Sequence, residues 1–117
     1  MLNLSGRRVF LACGHTDMRR SIDGLASIVE SSFKLDPFCE TIFVFCNKKR
    51  DRIKILQWSG DGFWLHFKRL EKGHFRWPSA GEENTLTLSG EELAILLGGT
   101  KVELKLKRRE LLGKPIS

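Results

Sequence analysis

The chain has 117 residues, 41% of them hydrophobic and 29% charged; that is one globular domain of ordinary size, with enough apolar material for a core of its own. No apolar run approaches the ~18 residues of a membrane span, Met1 to Arg8 lacks the apolar stretch of a secretory signal, and Cys13, Cys39 and Cys46 show no close paired spacing, so a cytoplasmic protein with reduced thiols and no membrane partner is expected. The net charge of +6 is clustered: residues 48–76 hold nine basic and three acidic side chains and residues 101–117 six and two, whereas residues 1–47 are balanced and residues 77–100 carry only four glutamates. Clustered positive charge of this kind is the footprint of a phosphate-binding surface.

In chain order, Arg8 to Ala12 reads as a short strand and Cys13-Gly14-His15-Thr16 as a turn. Thr16 is a candidate N-cap, and Asp17 stands where a helix start favours negative charge. Met18, Ile22, Leu25, Val29 and Phe33 recur at helical spacing and predict an amphipathic helix over about 17–33. Gly24 inside it suits close packing against a neighbour, and Leu35-Asp36-Pro37 ends it. Thr41 to Cys46 is the apolar run of a buried central strand, and Asn47 to Asp51 is a basic turn.

Arg52 to Trp58 and Phe63 to Leu70 form a hairpin about Ser59-Gly60-Asp61-Gly62. His74 to Trp77 reads as a further strand that Pro78 stops. Thr85 to Leu88 is a strand, and Ser89 caps a short helix across Glu91 to Leu97, closed by Gly98-Gly99. Val102, Leu104 and Leu106 alternate with charges as in a last strand. The sum is an α+β fold over residues 1–117: an antiparallel sheet meander of about five to seven strands, two helices and a basic C-terminal tail.

The register of the central hairpin decides which side chains face solvent. A three-residue loop, Gly60-Asp61-Gly62, with Gly62 left-handed, puts Ile53 and Ile55 on one inward face with Phe63, Leu65, Phe67 and Gln57. The outer face then gathers Arg52, Lys54, Trp58, Trp64, His66 and Lys68, with Leu56. A two-residue loop would put Arg52 and Lys54 beside Leu65 and Phe67, and burying two unpaired charges is costly, so the three-residue loop is expected. Its outer face mixes cations for phosphates with rings that can stack on unpaired bases. The residues expected to contact DNA are Lys48, Lys49, Arg50, Arg52, Lys54, Lys68, Arg69, Lys72 and Arg76. The competing reading packs Trp58 and Trp64 under a helix, with the cations snorkelling around them.

Motifs for chemistry are missing. There is no glycine-rich phosphate loop, no G-x-S-x-G and no H-E-x-x-H. Cys13-Gly14-His15 would need Cys39, Cys46, His66 or His74 to complete a metal site, and their spacings are scattered. A Cys–His nucleophile pair is equally unsupported, and Asp17, Asp23, Asp36, Asp51 and Asp61 do not assemble into a clear two-metal site. No enzyme activity, cofactor or metal is expected.

Three stretches carry a resemblance: V-F-L-A-C-G-H-T-D-M-R-R from Val9 with Gly24-Leu25 after it, D-R-I-K-I-L-Q-W from Asp51, and D-G-F-W-L-H-F-K-R-L-E-K-G-H-F-R-W-P from Asp61. Together they resemble the TnpB-type accessory protein, product of the second open reading frame, of the IS66 insertion-sequence family; this is distinct from the RNA-guided nuclease that shares the name TnpB. The resemblance spans about residues 8–97. It implies a role in transposition beside a separate transposase that carries the chemistry. Asp17, Met18 and Arg19 match the family's first motif, and Lys68, Arg69, Leu70, Glu71 and Gly73 its second.

The expectation is a transposition accessory protein that binds DNA, with element ends the natural target, and helps assemble a complex with the transposase and other element-encoded proteins. The alternative is an interaction module whose basic face docks an acidic protein partner without touching DNA.

Overall fold

The structure, a computed structural model, describes residues 4–98. The elements run β1 (Arg8–Ala12), α1 (Ile22–Ser31), β2 (Ile42–Cys46), β3 (Arg52–Trp58), β4 (Phe63–Arg69), β5 (Thr85–Ser89) and α2 (Gly90–Leu96). The strands form one sheet in the order β4-β3-β2-β1-β5. β1 and β2 are parallel, joined through α1, and every other pairing is antiparallel. The fold is therefore α+β, but its sheet is mixed rather than an antiparallel meander. The helix between β1 and β2 is the cause, because a crossover returns the chain in its original direction whereas a hairpin reverses it.

Both faces of the sheet are covered at its centre. β2 is buried along its whole length, and its side chains divide by parity. Ile42, Val44 and Cys46 join Val9, Leu11, Ile53, Ile55, Phe75, Trp77 and Leu93 on one side. Phe43 and Phe45 join Ala12, Leu25, Val29 and Leu56 on the other, beneath α1. A strand buried on both faces reads as a continuous apolar run, as I-F-V-F-C does.

α1 is shorter than its periodicity predicts. Residues 17–20 form a turn, with the Arg20 N–H bonded to the Asp17 carbonyl at 3.2 Å. Ser21, not Thr16, stands at the N-cap, and its side chain makes no capping bond. Met18 and Phe33 still pack with α1 against the core, which is why the apolar period ran past both helix ends. Gly24 faces the side chain of Arg20 rather than another element. α2 begins with a full capping box: Ser89 Oγ accepts from the Glu92 N–H at 3.1 Å, and Glu92 Oε1 accepts from the Ser89 N–H at 2.8 Å. Gly90 is required there, since a Cβ would collide with the Leu4 carbonyl oxygen.

Residues 74–77 form no strand. The Phe75 N–H bonds the Arg50 carbonyl at 2.7 Å, and Phe75 and Trp77 turn inward to cover the sheet. Trp77 is 6% exposed and donates its indole N–H to the Ala12 carbonyl at 2.8 Å. The strand expected across Lys101–Lys107 lies outside the described residues.

The hairpin adopts the other register. Ser59 and Gly62 close a two-residue loop through a 2.9 Å bond, and Gly60, not Gly62, is left-handed, with φ 93°; a glycine-first turn of two residues suits the strand twist. Trp58 pairs with Phe63, Leu56 with Leu65, Lys54 with Phe67 and Arg52 with Arg69. Leu56, Phe63 and Leu65 accordingly face α1, while Ile53, Ile55 and Gln57 face the opposite layer with Trp64, His66 and Lys68. The expected loop assumed a single buried face and unpaired charges, and neither holds. The sheet is covered on both sides at its centre. Arg52 is 40% exposed along its side chain, and the Lys54 ammonium donates to the carbonyls of Met18 and Arg20 at 2.7 and 2.8 Å.

Candidate nucleic-acid interface

The C-terminal ends of β1 and β2 lie side by side, and the segments leaving them carry much of the positive charge. After β1 the chain is anchored three times: the Cys13 N–H bonds Asn84, the Gly14 N–H bonds Pro78 and the Thr16 N–H bonds Cys46, all to carbonyls at 2.7–2.9 Å. Gly14 is required, with φ 76° and a virtual Cβ 3.0 Å from that of Ala80. The chain then turns at residues 17–20. Asp17 accepts from the Arg19 backbone N–H at 2.9 Å and from its guanidinium at 2.7–3.1 Å. These bonds hold the Asp17 carboxyl well below the usual carboxylate range. Lys54 grips the same turn from below through the two carbonyls just described.

After β2, Asn47 organises a second turn. Its side-chain oxygen accepts from the N–H groups of Asp51 and Arg52, both at 3.0 Å, and its amide donates to the Asp51 carboxylate at 2.7 Å. The Asn47 amide lowers the Asp51 pKa. Arg50 is left-handed, with φ 61°, and its N–H returns to the Asn47 carbonyl. Lys48, Lys49 and Arg50 are thus exposed on a turn whose backbone is tied from several sides.

Between the two turns lies a cleft of about 830 Å³. Arg19, Arg20, Lys48, Lys49 and Arg52 line it, with His15 and a single carboxylate, Asp17. Met18, Ile28 and Phe33 supply apolar lining from the α1 side. Cys13 also borders the cleft, and burial pushes its thiol pKa up, which favours the unreactive thiol. A smaller cavity of about 360 Å³ adjoins it, lined by His15, Lys48, Arg50, Trp77 and Pro78 among others.

Of the expected DNA-contact residues, Lys48, Lys49 and Arg52 meet at the cleft and Arg50 at its neighbour. The others are spread. Lys54 supports the first turn. Lys68 lies on the opposite sheet face and donates to the Leu97 carbonyl at 2.7 Å. Arg69 stands across from Arg52. Like charges in direct cross-strand register repel, and each has an acid beside it: Glu71 is 2.9 Å from Arg69, and Asp51 is 3.9 Å from Arg52. Lys72 and Arg76 are exposed and border neither cavity. Sequence reasoning missed Arg19, Arg20 and His15 as lining residues. Arg19 and Arg20 were absorbed into an over-long helix within a charge-balanced stretch. The signal available was the T-D-M-R-R run itself, directly after a strand-ending glycine turn.

The outer face of mixed cations and rings does not exist as one surface. Trp58 and Trp64 point to opposite sides of the sheet. Trp58 is half-buried at the hairpin tip, with Phe38 and Phe63 each 5.0 Å away between ring centroids. Trp64 is 60% exposed and stacks beside His66 at 6.1 Å. His66 in turn donates from Nε2 to the buried Gln57 Oε1 at 3.1 Å; that tautomer follows from Oε1 being an acceptor, and burial lowers the His66 pKa so that the neutral ring is favoured.

Among the described residues no group of three or more His, Cys, Asp or Glu converges on a metal position, and no described helix is long and apolar enough to cross a membrane. The three cysteines are free, and burial pushes the Cys46 thiol up to about 12.

Comparison with known proteins places the chain. No solved structure matches it. Two relatives from Sinorhizobium fredii (strain NBRC 101917 / NGR234) do. Uncharacterized protein y4jC is 37% identical over 107 residues, covering 89% of this chain and 91% of its own length. Uncharacterized protein y4hO is 40% identical over 92 residues, covering 79% of each. The family model for IS66 Orf2 like proteins matches residues 7–107, taking in both cationic turns and the whole sheet. The chain therefore belongs to the IS66 Orf2-like family of insertion-sequence proteins, and with it to the accessory side of transposition.

Proposed function

We propose that this protein binds DNA through the cationic end of its sheet and helps assemble a transposition complex beside a separate transposase. One observation carries the reading. Arg19, Arg20, Lys48, Lys49 and Arg52 converge on a single concave site that contains only one carboxylate, itself engaged by Arg19. Solvated cations that serve only solubility tend to be interspersed with acids over the surface. Five of them gathered on two braced turns and the first residue of β3 favour a polyanion, because each cation placed against a phosphate releases condensed counterions. Membership of the family supplies the setting, an insertion sequence, and makes element ends the natural DNA to test.

The competing occupant of a basic cleft is an acidic protein segment. Fluorescence anisotropy with a labelled element-end duplex, its separated strands and polyglutamate, at about 50 mM salt, separates the two. DNA binding that polyglutamate displaces only weakly supports the proposal. Capture of polyglutamate without measurable affinity for any DNA overturns it in favour of an acidic docking partner.

A further inference from the structure

The cleft has two chemically different kinds of lining. Arg19, Arg20, Lys48, Lys49 and Arg52 supply cations from both turns and the start of β3, while Met18, Ile28 and Phe33 supply an apolar part. The apolar three also pack on the core beneath α1, and Phe33 lies parallel to Phe45 at 6.2 Å, so this part of the wall is backed by the core. The cleft's volume of about 830 Å³ lies in the ~300–1,000 Å³ range of small-molecule sites, and it is widely open to solvent.

A paired duplex matches only half of this lining. It presents phosphates and groove edges outward and keeps the faces of its bases stacked inside. The cations would find partners, but the apolar wall would face water or sugar edges. An unpaired nucleotide matches both halves. Its base offers a flat apolar face, and its flanking phosphates lie within the reach of Lys and Arg side chains on the facing turns. Recognition of unpaired strands by a charged groove with apolar platforms is a general solution to single-strand binding.

We propose that the cleft takes an unpaired nucleotide of a DNA strand, its base against Met18, Ile28 and Phe33 and its phosphates on Arg19, Arg20, Lys48, Lys49 and Arg52. The proposal rests on the DNA-binding reading above and specifies the form of DNA. It also moves the base-contacting role from Trp58, which is packed among phenylalanines at the far end of the hairpin, to the wall of the cleft.

The test uses the full chain carrying ¹³C-labelled Met and Ile methyl groups, which leaves two methionine signals, from Met1 and Met18. A mixed-sequence strand of about ten nucleotides, within the usual single-strand site size, is titrated alone and annealed to its complement. The expected result is single-strand affinity at least about tenfold above the duplex, with base ring currents shifting the Met18 ε-methyl and Ile28 δ-methyl signals only for the free strand. Equal or tighter duplex binding, or single-strand binding that leaves both methyls unmoved, overturns this proposal while leaving DNA binding intact. Failure of both DNAs to bind at about 50 mM salt removes both readings together.

Discussion

The two ends of the β3–β4 hairpin are built from opposite materials. At the open end Arg52 and Arg69 face each other, with Lys48, Lys49, Arg19 and Arg20 around them. At the closed end Trp58 and Phe63 pair across the strands, and Phe38 packs over them as a third ring. The closed end contents itself, since its rings are each other's partners. The open end does not. Its side chains repel one another, their acids are few, and the turns that carry them are braced largely from elsewhere, by backbone bonds, the Asn47 side chain and Lys54. A cluster held together against its own charge is what the proposed DNA contact requires. A cluster that satisfies itself points to folding.

That contrast can be broken most severely at the open end. Replacing Arg19, Arg20, Lys48 and Lys49 with Ala should reduce DNA affinity at about 50 mM salt by roughly a hundredfold or more, measured by anisotropy. The melting temperature should move little, because all four are exposed. A large fall in melting temperature would mean that the cluster is structural and the contrast false.

Lys54 sharpens the comparison, since it is a cation used for folding at the functional end. Lys54→Met should cost about 1.5–3 kcal/mol, the range for hydrogen bonds that involve a charged group, measured by denaturant unfolding. It should also loosen the 17–20 turn and weaken DNA binding less than the fourfold variant does. Unchanged stability would show that its two carbonyl contacts contribute nothing.

At the closed end Trp58→Ala should cost about 1–2 kcal/mol, between the ~0.5 kcal/mol of a surface change and the ~3–5 kcal/mol of a buried tryptophan, and leave DNA affinity unchanged. Trp64→Ala on the same hairpin should stay within about 0.5 kcal/mol. A Trp58 variant that keeps its stability but loses DNA would return the base-stacking role to the tip.

The smallest effect expected is one of pH. Burial depresses the His66 pKa, so as pH falls below about 6.5 the unfolded chain takes up the proton first. Stability should therefore decline slightly across that window, and His66→Gln should flatten the decline. A rise in stability on acidification through the same window would contradict the buried, neutral ring.

What the sequence shows, and what it hides, follows from range. β1, β3 and the Ser89 cap are visible because each depends on neighbours in the chain: an apolar run, a turn, a Ser-to-Glu spacing. The parallel β1–β2 pairing is not, because nothing local states which strand comes to lie beside which. The hairpin register expected from one buried face is not the one adopted, because α1 and the Phe75–Trp77 segment cover the two faces at the sheet's centre. The same expectation misplaces Trp58 relative to Trp64. For the cleft, the charge count found Lys48, Lys49 and Arg52 but not Arg19 and Arg20, which sit in a stretch of zero net charge and reach the site only through the β1–α1 connection.

The most direct test of the central claim is the slope of log K against log salt for single-stranded DNA, for the parent and for the fourfold Arg19, Arg20, Lys48 and Lys49 variant. If five cations meet phosphates, the parent slope should lie near −3.5, a loss of roughly a hundredfold between about 50 and 200 mM salt, and the variant slope, with one cation left, at about −0.7. Trp58→Ala should keep the parent slope. A fourfold variant that binds with the parent's slope would contradict the account, because it would show that the phosphates are held elsewhere on the molecule.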